Sequence, residues 1–213
     1  MGLFINYKGK LNDVQDVPRI IAEFKDIAES MKWYFRIEDR DWNLPDDVHF
    51  EAHPEFKNTP VMVGHAGIKG ICFKVHDHCE PIYFFFNREG ILMDEYQMAF
   101  NNSILDRKQV KKMPWIFTKT SNAGMEAHQV VCKLLRYAKK KYFEVLKVKD
   151  DTGFWKSSDS VELKTNMEIM STIIGIFSES EERKQREGGK SLLDKLLEKG
   201  ARQDEGKKGN PRP

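Results

Sequence analysis

The chain has 213 residues, of which 40% are hydrophobic and 32% are charged, and its formal net charge at pH 7 is +2. This length and this apolar fraction suffice for one well-filled domain with a core. The near balance of charge excludes the large basic excess that many polyanion-binding proteins carry.

The start of the chain, MGLFINYKGKL, lacks the basic and apolar regions of a signal peptide. No apolar run approaches the roughly 20 residues that a membrane helix needs. The cysteines, Cys72, Cys79 and Cys132, form no even disulfide framework. We therefore predict a cytoplasmic protein with free thiols.

The first part of the chain predicts a strand–helix–strand unit. Residues 3–7 are apolar and β-prone, and apolar residues recur at helical spacing across 17–31. WYFRIE at 33–38 alternates with the period of a strand. Residues 39–66 have no clean period and carry Pro45, Pro54 and Pro60, which predicts a long irregular loop.

The middle of the chain predicts a β-meander. Apolar and polar residues alternate across 68–76, and IYFFF at 82–86 is apolar on both faces, as in a covered central strand. Residues 91–93 are expected to start a third strand after a turn. Residues 96–114 look irregular.

The last part predicts a strand at 115–119, a helix at 123–142 and a strand at 145–149. A further helix is indicated by apolar residues spaced alternately four and three apart. These are Leu163, Met167, Met170, Ile174 and Phe177.

Helices separated by antiparallel strands predict an α+β fold with one mainly antiparallel sheet and two or three packed helices. A ferredoxin-like or split βαβ arrangement is our first topology hypothesis. Residues 1–178 are predicted to form a single α+β domain. Residues 179–213 are predicted to be a polar, charged C-terminal extension, with a short amphipathic helix and a disordered tail.

Most of the histidines lie in one stretch of the chain, in the 49–79 region, where imidazole and thiolate groups suit zinc. The candidate metal ligands are His49, His53, His65, His76, His78 and Cys79. A His-x-His pair on an extended segment places both rings on one face. The alternative is that 77–81 is a hairpin loop, in which Asp77 and Pro81 serve the backbone. A divalent metal such as zinc is the cofactor that the first interpretation implies.

His128 falls on the apolar face of its predicted helix, which favours a hydrogen-bonded core histidine over a catalytic base. Cys132 follows one helical turn later, so a Cys–His pair is geometrically allowed. No phosphate-binding loop and no nucleophile elbow occur in the sequence.

Two segments suggest macromolecular partners. Lys139, Lys140 and Lys141 could contact phosphates, although a lysine run at a helix C-terminus also complements the helix dipole, and we expect nucleic acid not to be the partner. An apolar strip in the extension, too short to be stable alone, suggests a protein partner or a second copy of the chain. The strip consists of Leu192, Leu193, Leu196 and Leu197.

These features favour a non-enzymatic protein-binding or regulatory domain of unknown specificity. The alternative is a metal-dependent, hydrolase-like enzyme that uses the histidine-rich 49–79 region.

Overall fold

The computed structural model describes residues 3–53, 59–103, 112–169 and 171–173. The chain divides into two compact units, Gly2–Met167 in one and Met1 with Glu168–Pro213 in the other. In the second unit, residues 168–169 and 171–173 are helical. The predicted domain boundary at 178 lies outside the described residues and stays a prediction. No helix within the described ranges is long and apolar enough to cross a bilayer.

The described part of the first unit combines strands with helices, and its first two α-helices are separated by a run of strands. Its strands are β1 (Phe4–Leu11), β2 (Phe35–Asp39), β3 (His49–Ala52), β4 (Pro60–Val63), β5 (Lys69–Phe73), β6 (Ile82–Phe86), β7 (Ile116–Lys119) and β8 (Phe143–Asp150). Its helices are α1 (Val17–Ser30), α2 (Glu95–Ser103), α3 (Gly124–Tyr142) and α4 (Phe154–Ser157). Residues 160–167 are also helical.

Among the described residues the strand pairings are antiparallel and form three small sheets, with orders β7-β1-β8, β2-β5-β6 and β3-β4. The α+β class that we predicted is therefore correct, but the prediction of one sheet is wrong. A ferredoxin-like arrangement is not confirmed.

The third meander strand, predicted to start at 91–93, does not form a ladder with either neighbouring strand. Residues 91–93 make only isolated bridges, from Ile91 to Lys10 of β1 and from Leu92 to Phe86 of β6. Residues 91 and 92 therefore connect the backbones of β1 and β6, one bridge to each strand, but they extend neither ladder. Each sheet consequently keeps its own pair of faces.

The main core lies between α1, α3 and the inner faces of the two three-stranded sheets. Phe24 of α1 packs on Phe73 and Phe84, with ring centroids 5.6 and 4.7 Å away. Strand β6 is covered on both faces, as predicted, because Phe84 and Phe85 are both buried although they point in opposite directions.

The second face of the β2-β5-β6 sheet is covered by elements that the sequence did not predict. The hairpin β3-β4 lies inside the predicted loop at 39–66, and α2 lies inside the predicted irregular segment at 96–114 apart from its first residue. Together they close a smaller buried cluster. It contains Val48, Ala66, Ile68, Cys72, Phe85, Met93, Met98 and Ala99.

Candidate functional site

The β7-β1-β8 sheet has a buried face and an opposite, more exposed face, which the alternating burial along its central strand β1 shows. On β1, Ile5 and Tyr7 are fully buried, whereas Lys8 is partly exposed and Lys10 exposed. Cross-strand partners share a face of an antiparallel sheet. Lys8 pairs with Lys147 of β8, so both side chains lie on the outer face.

The outer face of this sheet is strongly basic. Its lysines are Lys8, Lys10, Lys119, Lys147 and Lys149. Lys10 lies 3.9 Å from the carboxylate of Glu144. Among the described residues no carboxylate comes within 4.0 Å of the other four ammonium groups. Since like charges directly opposite each other are unfavourable, Lys8 and Lys147 form a site that an anion would relieve.

Aromatic side chains lie among these lysines. Phe117 pairs with Asn6 on the outer face and is 52% exposed. Its ring makes an edge-to-face contact with the ring of Phe4, with centroids 5.8 Å apart. The ammonium groups of Lys8 and Lys149 lie 4.8 and 5.2 Å from the ring centroid of Trp115. Cations and planar rings are thus combined on one surface, which we call the basic aromatic face.

An aromatic pocket of about 350 Å³ adjoins this face and shares Trp115 with it. Its apolar walls are formed by Phe50, Tyr96, Phe100, Pro114 and Trp115. The side-chain amide of Gln97 donates to the carbonyl of Trp115 at 2.8 Å, which joins α2 to the start of β7. Asn102 donates to the carbonyl of Val48 at 2.8 Å, which anchors the other end of α2 beside β3.

A second cluster is fully buried beneath α3. His128 contacts Thr120 through Nδ1 at 2.8 Å, and its Nε2 lies 3.0 Å from both Asp150 and Thr152. Asp150 also accepts the backbone N–H groups of Thr152 and Trp155, each at 2.8 Å. His128 is therefore a hydrogen-bonded core histidine, the interpretation that the sequence favoured.

Cys132 joins His128 and Asp150 in the only group of three His, Cys, Asp or Glu residues, among those the structure describes, whose ligand atoms all lie within 4.8 Å of one another. Nitrogen, sulfur and carboxylate donors are ligand types that suit zinc. However, burial, with the nearby Asp150 charge, raises the pKa of the Cys132 thiol to about 12. Without a metal, Cys132 is thus a neutral thiol and not an activated nucleophile.

Stability should depend on pH through Asp150. Burial alone would raise the pKa of Asp150, but hydrogen bonds from His128, Thr152 and Trp155 outweigh burial and lower the pKa to about 2, from 3.8. A carboxyl group whose pKa is lowered by folding adds stability above its ordinary pKa and loses that contribution as the pH falls through the folded value. We expect the difference in unfolding free energy between wild type and Asp150→Asn to shrink by about 2 kcal/mol between about pH 5 and pH 2.

Urea unfolding of both proteins at several pH values in that window measures this difference. A difference that stays constant down to about pH 2 would show that the Asp150 pKa is not lowered in the folded protein.

The predicted ligands His76, His78 and Cys79 lie in the loop between β5 and β6, which is the hairpin connection of the alternative interpretation. The two histidine rings are neighbours, with centroids 5.6 Å apart, and the backbone N–H of His78 donates to His76 Nδ1. Cys79 is buried and its thiol lies 3.5 Å from the carbonyl of Lys119. Burial, with the charge of Glu80, raises the pKa of that thiol to about 11.

The other three predicted ligands lie on and around the β3-β4 hairpin. His49 contacts the Asp47 carbonyl at 2.8 Å and Glu51 at 3.0 Å, and His65 contacts the Asp41 carbonyl at 2.7 Å. His53 follows β3, and its backbone N–H donates to Thr59. All six predicted ligands are described, and the structure gathers no three of them around one point. The metal-dependent enzyme remains a hypothesis.

Two of the three lysines at the end of α3 contact other side chains. Lys141 bonds both carboxylate oxygens of Glu23, at 2.6 and 2.8 Å, and Lys139 lies 5.9 Å from the ring centroid of Trp155. Lys140 is exposed. The predicted partner-binding leucines Leu192, Leu193, Leu196 and Leu197 lie outside the described residues.

The basic aromatic face was missed by the sequence analysis, although a signal for it exists. YKGK on β1 and KVK on β8 each carry lysines two residues apart, which is the spacing of one strand face. Only the register of β1 against β8 shows that the two lysine pairs meet. The wall of the pocket was missed because α2 and β3 were not predicted.

Comparisons of this chain with protein-family models, with curated proteins and with solved structures found no match.

Proposed function

We propose that this chain is a non-enzymatic binding domain that binds nucleic acid through the basic aromatic face. The observation that supports the proposal is the set of five lysines and three aromatic side chains on one exposed sheet face. The net charge of +2 conceals this face because acidic residues elsewhere balance it. For a polyanion, the local arrangement of charge counts for more than the total.

Each part of the face has a role in this proposal. Lysines neutralise phosphates and release counterions, which makes binding favourable and dependent on salt. Exposed rings such as Phe117 offer flat surfaces on which bases stack. A sheet that combines both groups is a general solution to binding unpaired strands.

A protein partner was our expectation from the sequence, and an acidic protein segment would satisfy the same lysines. The aromatic rings favour nucleic acid over that alternative, because carboxylates gain little from stacking on Phe117 or Trp115 whereas bases gain substantially. The leucine strip of the extension keeps its own predicted role in binding a protein.

The test is to replace Lys8 and Lys147 by glutamine and to measure binding of a fluorescent oligonucleotide by anisotropy over a range of salt concentrations. We expect weaker binding, and a slope of log K against log salt that is shallower by about 1.4, since each single-strand phosphate contact contributes about 0.7. Folding should be unaffected, because the substitutions relieve two directly opposed like charges.

The matched control replaces Lys25 of α1 and Lys133 of α3 by glutamine; both lie away from the face, and their loss changes the net charge equally. This control should keep the wild-type slope. An equal loss of affinity in the two double variants would show that binding depends on total charge, and it would contradict the proposal. Tighter binding of poly-glutamate than of any oligonucleotide would assign the face to an acidic protein instead.

A further inference from the structure

We infer that the aromatic pocket beside the basic aromatic face holds one unstacked base of a single-stranded nucleic acid. This inference rests on the proposed function, and it names both the form of nucleic acid and the place of one nucleotide. Its starting point is that Trp115 belongs to the pocket and to the face at once.

The lining of the pocket matches a flat aromatic guest. Phe50 and Tyr96 lie with ring centroids 6.3 Å apart, and Tyr96 and Phe100 are 64% and 53% exposed. Such exposure of large rings around one cavity is unusual for a site without a ligand. A volume of about 350 Å³ is at the small end for ligand pockets, which suits a single base better than a longer apolar segment.

A nucleotide also needs cations for its phosphate, and the lysines beside the pocket supply them. Lys8 and Lys149 lie over the Trp115 ring, so a strand whose phosphates follow these lysines would bring a neighbouring base to the pocket mouth. An apolar peptide side chain would fill the cavity but would leave the lysines without counter-charges. The combination of an aromatic cavity with adjoining cations therefore favours a nucleotide.

A duplex cannot fill the pocket in the same way. Its bases are paired and stacked, and extracting one costs a few kcal/mol. The pocket consequently predicts a preference for single strands, which the lysines alone would not produce.

The experiment compares three fluorescent probes of equal length, about 12 nucleotides, which is within the range of single-strand site sizes. The probes are oligo-deoxythymidine, an abasic deoxyribose-phosphate oligomer and a duplex. We expect oligo-deoxythymidine to bind about tenfold or more tightly than the abasic oligomer. Tyr96→Ala and Phe100→Ala should each reduce that difference and leave abasic binding unchanged, and the part that remains is the stacking of bases on Phe117.

Tyr34→Ala is the matched control, since Tyr34 is 63% exposed and does not line the pocket. All three truncated side chains are largely solvent-exposed, so the variants should fold, and urea midpoints verify this.

The outcomes separate this inference from the proposed function. If no probe binds, the proposed function fails. If the abasic oligomer binds as tightly as oligo-deoxythymidine, or if the duplex binds more tightly, the face binds phosphates and the base pocket is refuted. The base pocket is also refuted if Tyr96→Ala and Tyr34→Ala behave alike.

Discussion

Replacing Asp150 by alanine is expected to lower the free energy of unfolding by about 3–5 kcal/mol, because it removes one partner of a buried, hydrogen-bonded pair. The Asp150 side chain is 1% exposed and accepts hydrogen bonds from His128, Thr152 and Trp155. Without the carboxylate, these donors lose their partner in a site that water does not reach. Urea unfolding of the variant measures the loss.

The neighbouring residue Asp151 provides the control. It is exposed, and its side chain accepts a hydrogen bond from the backbone N–H of Phe4 at 3.0 Å. Asp151→Ala should therefore cost no more than about 1.5 kcal/mol. Equal losses at the two positions would mean that the buried network contributes little to stability.

Replacing Gly70 by alanine is expected to be equally severe. Gly70 lies in β5 opposite Phe85, and its φ angle is 150°. An added Cβ would lie 1.9 Å from the carbonyl oxygen of Phe84, which is backbone of the paired strand. Because neither strand can move without breaking the ladder, we expect a loss above about 4 kcal/mol, in the range seen for severe strain.

Gly124→Ala separates the steric clash from the dihedral cost. Gly124 also has a positive φ, 82°, but nothing lies within 4 Å of the position that a Cβ would take there. Gly124→Ala should lower the free energy of unfolding by about 1–2 kcal/mol, which is the cost of a left-handed conformation in a residue with a side chain. Urea unfolding measures both variants. If Gly70→Ala lowered the free energy of unfolding no more than Gly124→Ala does, the close approach of the β5 and β6 backbones at Gly70 would be disproved.

The elements predicted well from the sequence are those with a strong period and one buried face, or with an unbroken apolar run. Helix α3 was predicted at 123–142 and runs from Gly124 to Tyr142, since its apolar residues recur with the helical period along its whole length. Strand β6 was predicted at 82–86 and has those bounds, because consecutive apolar residues fit a strand covered on both faces.

The elements missed are those whose stability comes from the neighbours they cover. Helix α2 buries only Met98 and Ala99 among its nine residues, so it shows no helical stripe in the sequence. Strand β4 begins at Pro60, a residue that argues against a strand unless it lies at an end or edge. Both elements form because Phe85 and Cys72 leave an apolar sheet face to be covered.

In this protein, the α+β class, the position of helix α3 and the alternation of buried and exposed residues along β1 follow from the amino-acid pattern. These properties are local, since they depend on residues within one or two turns or a few strand positions. Which surfaces those residues build depends on how distant parts of the chain come together. Lys8 meets Lys147, and His128 meets Asp150, across long stretches of chain. Strand register and helix packing set these encounters, and no local period encodes them.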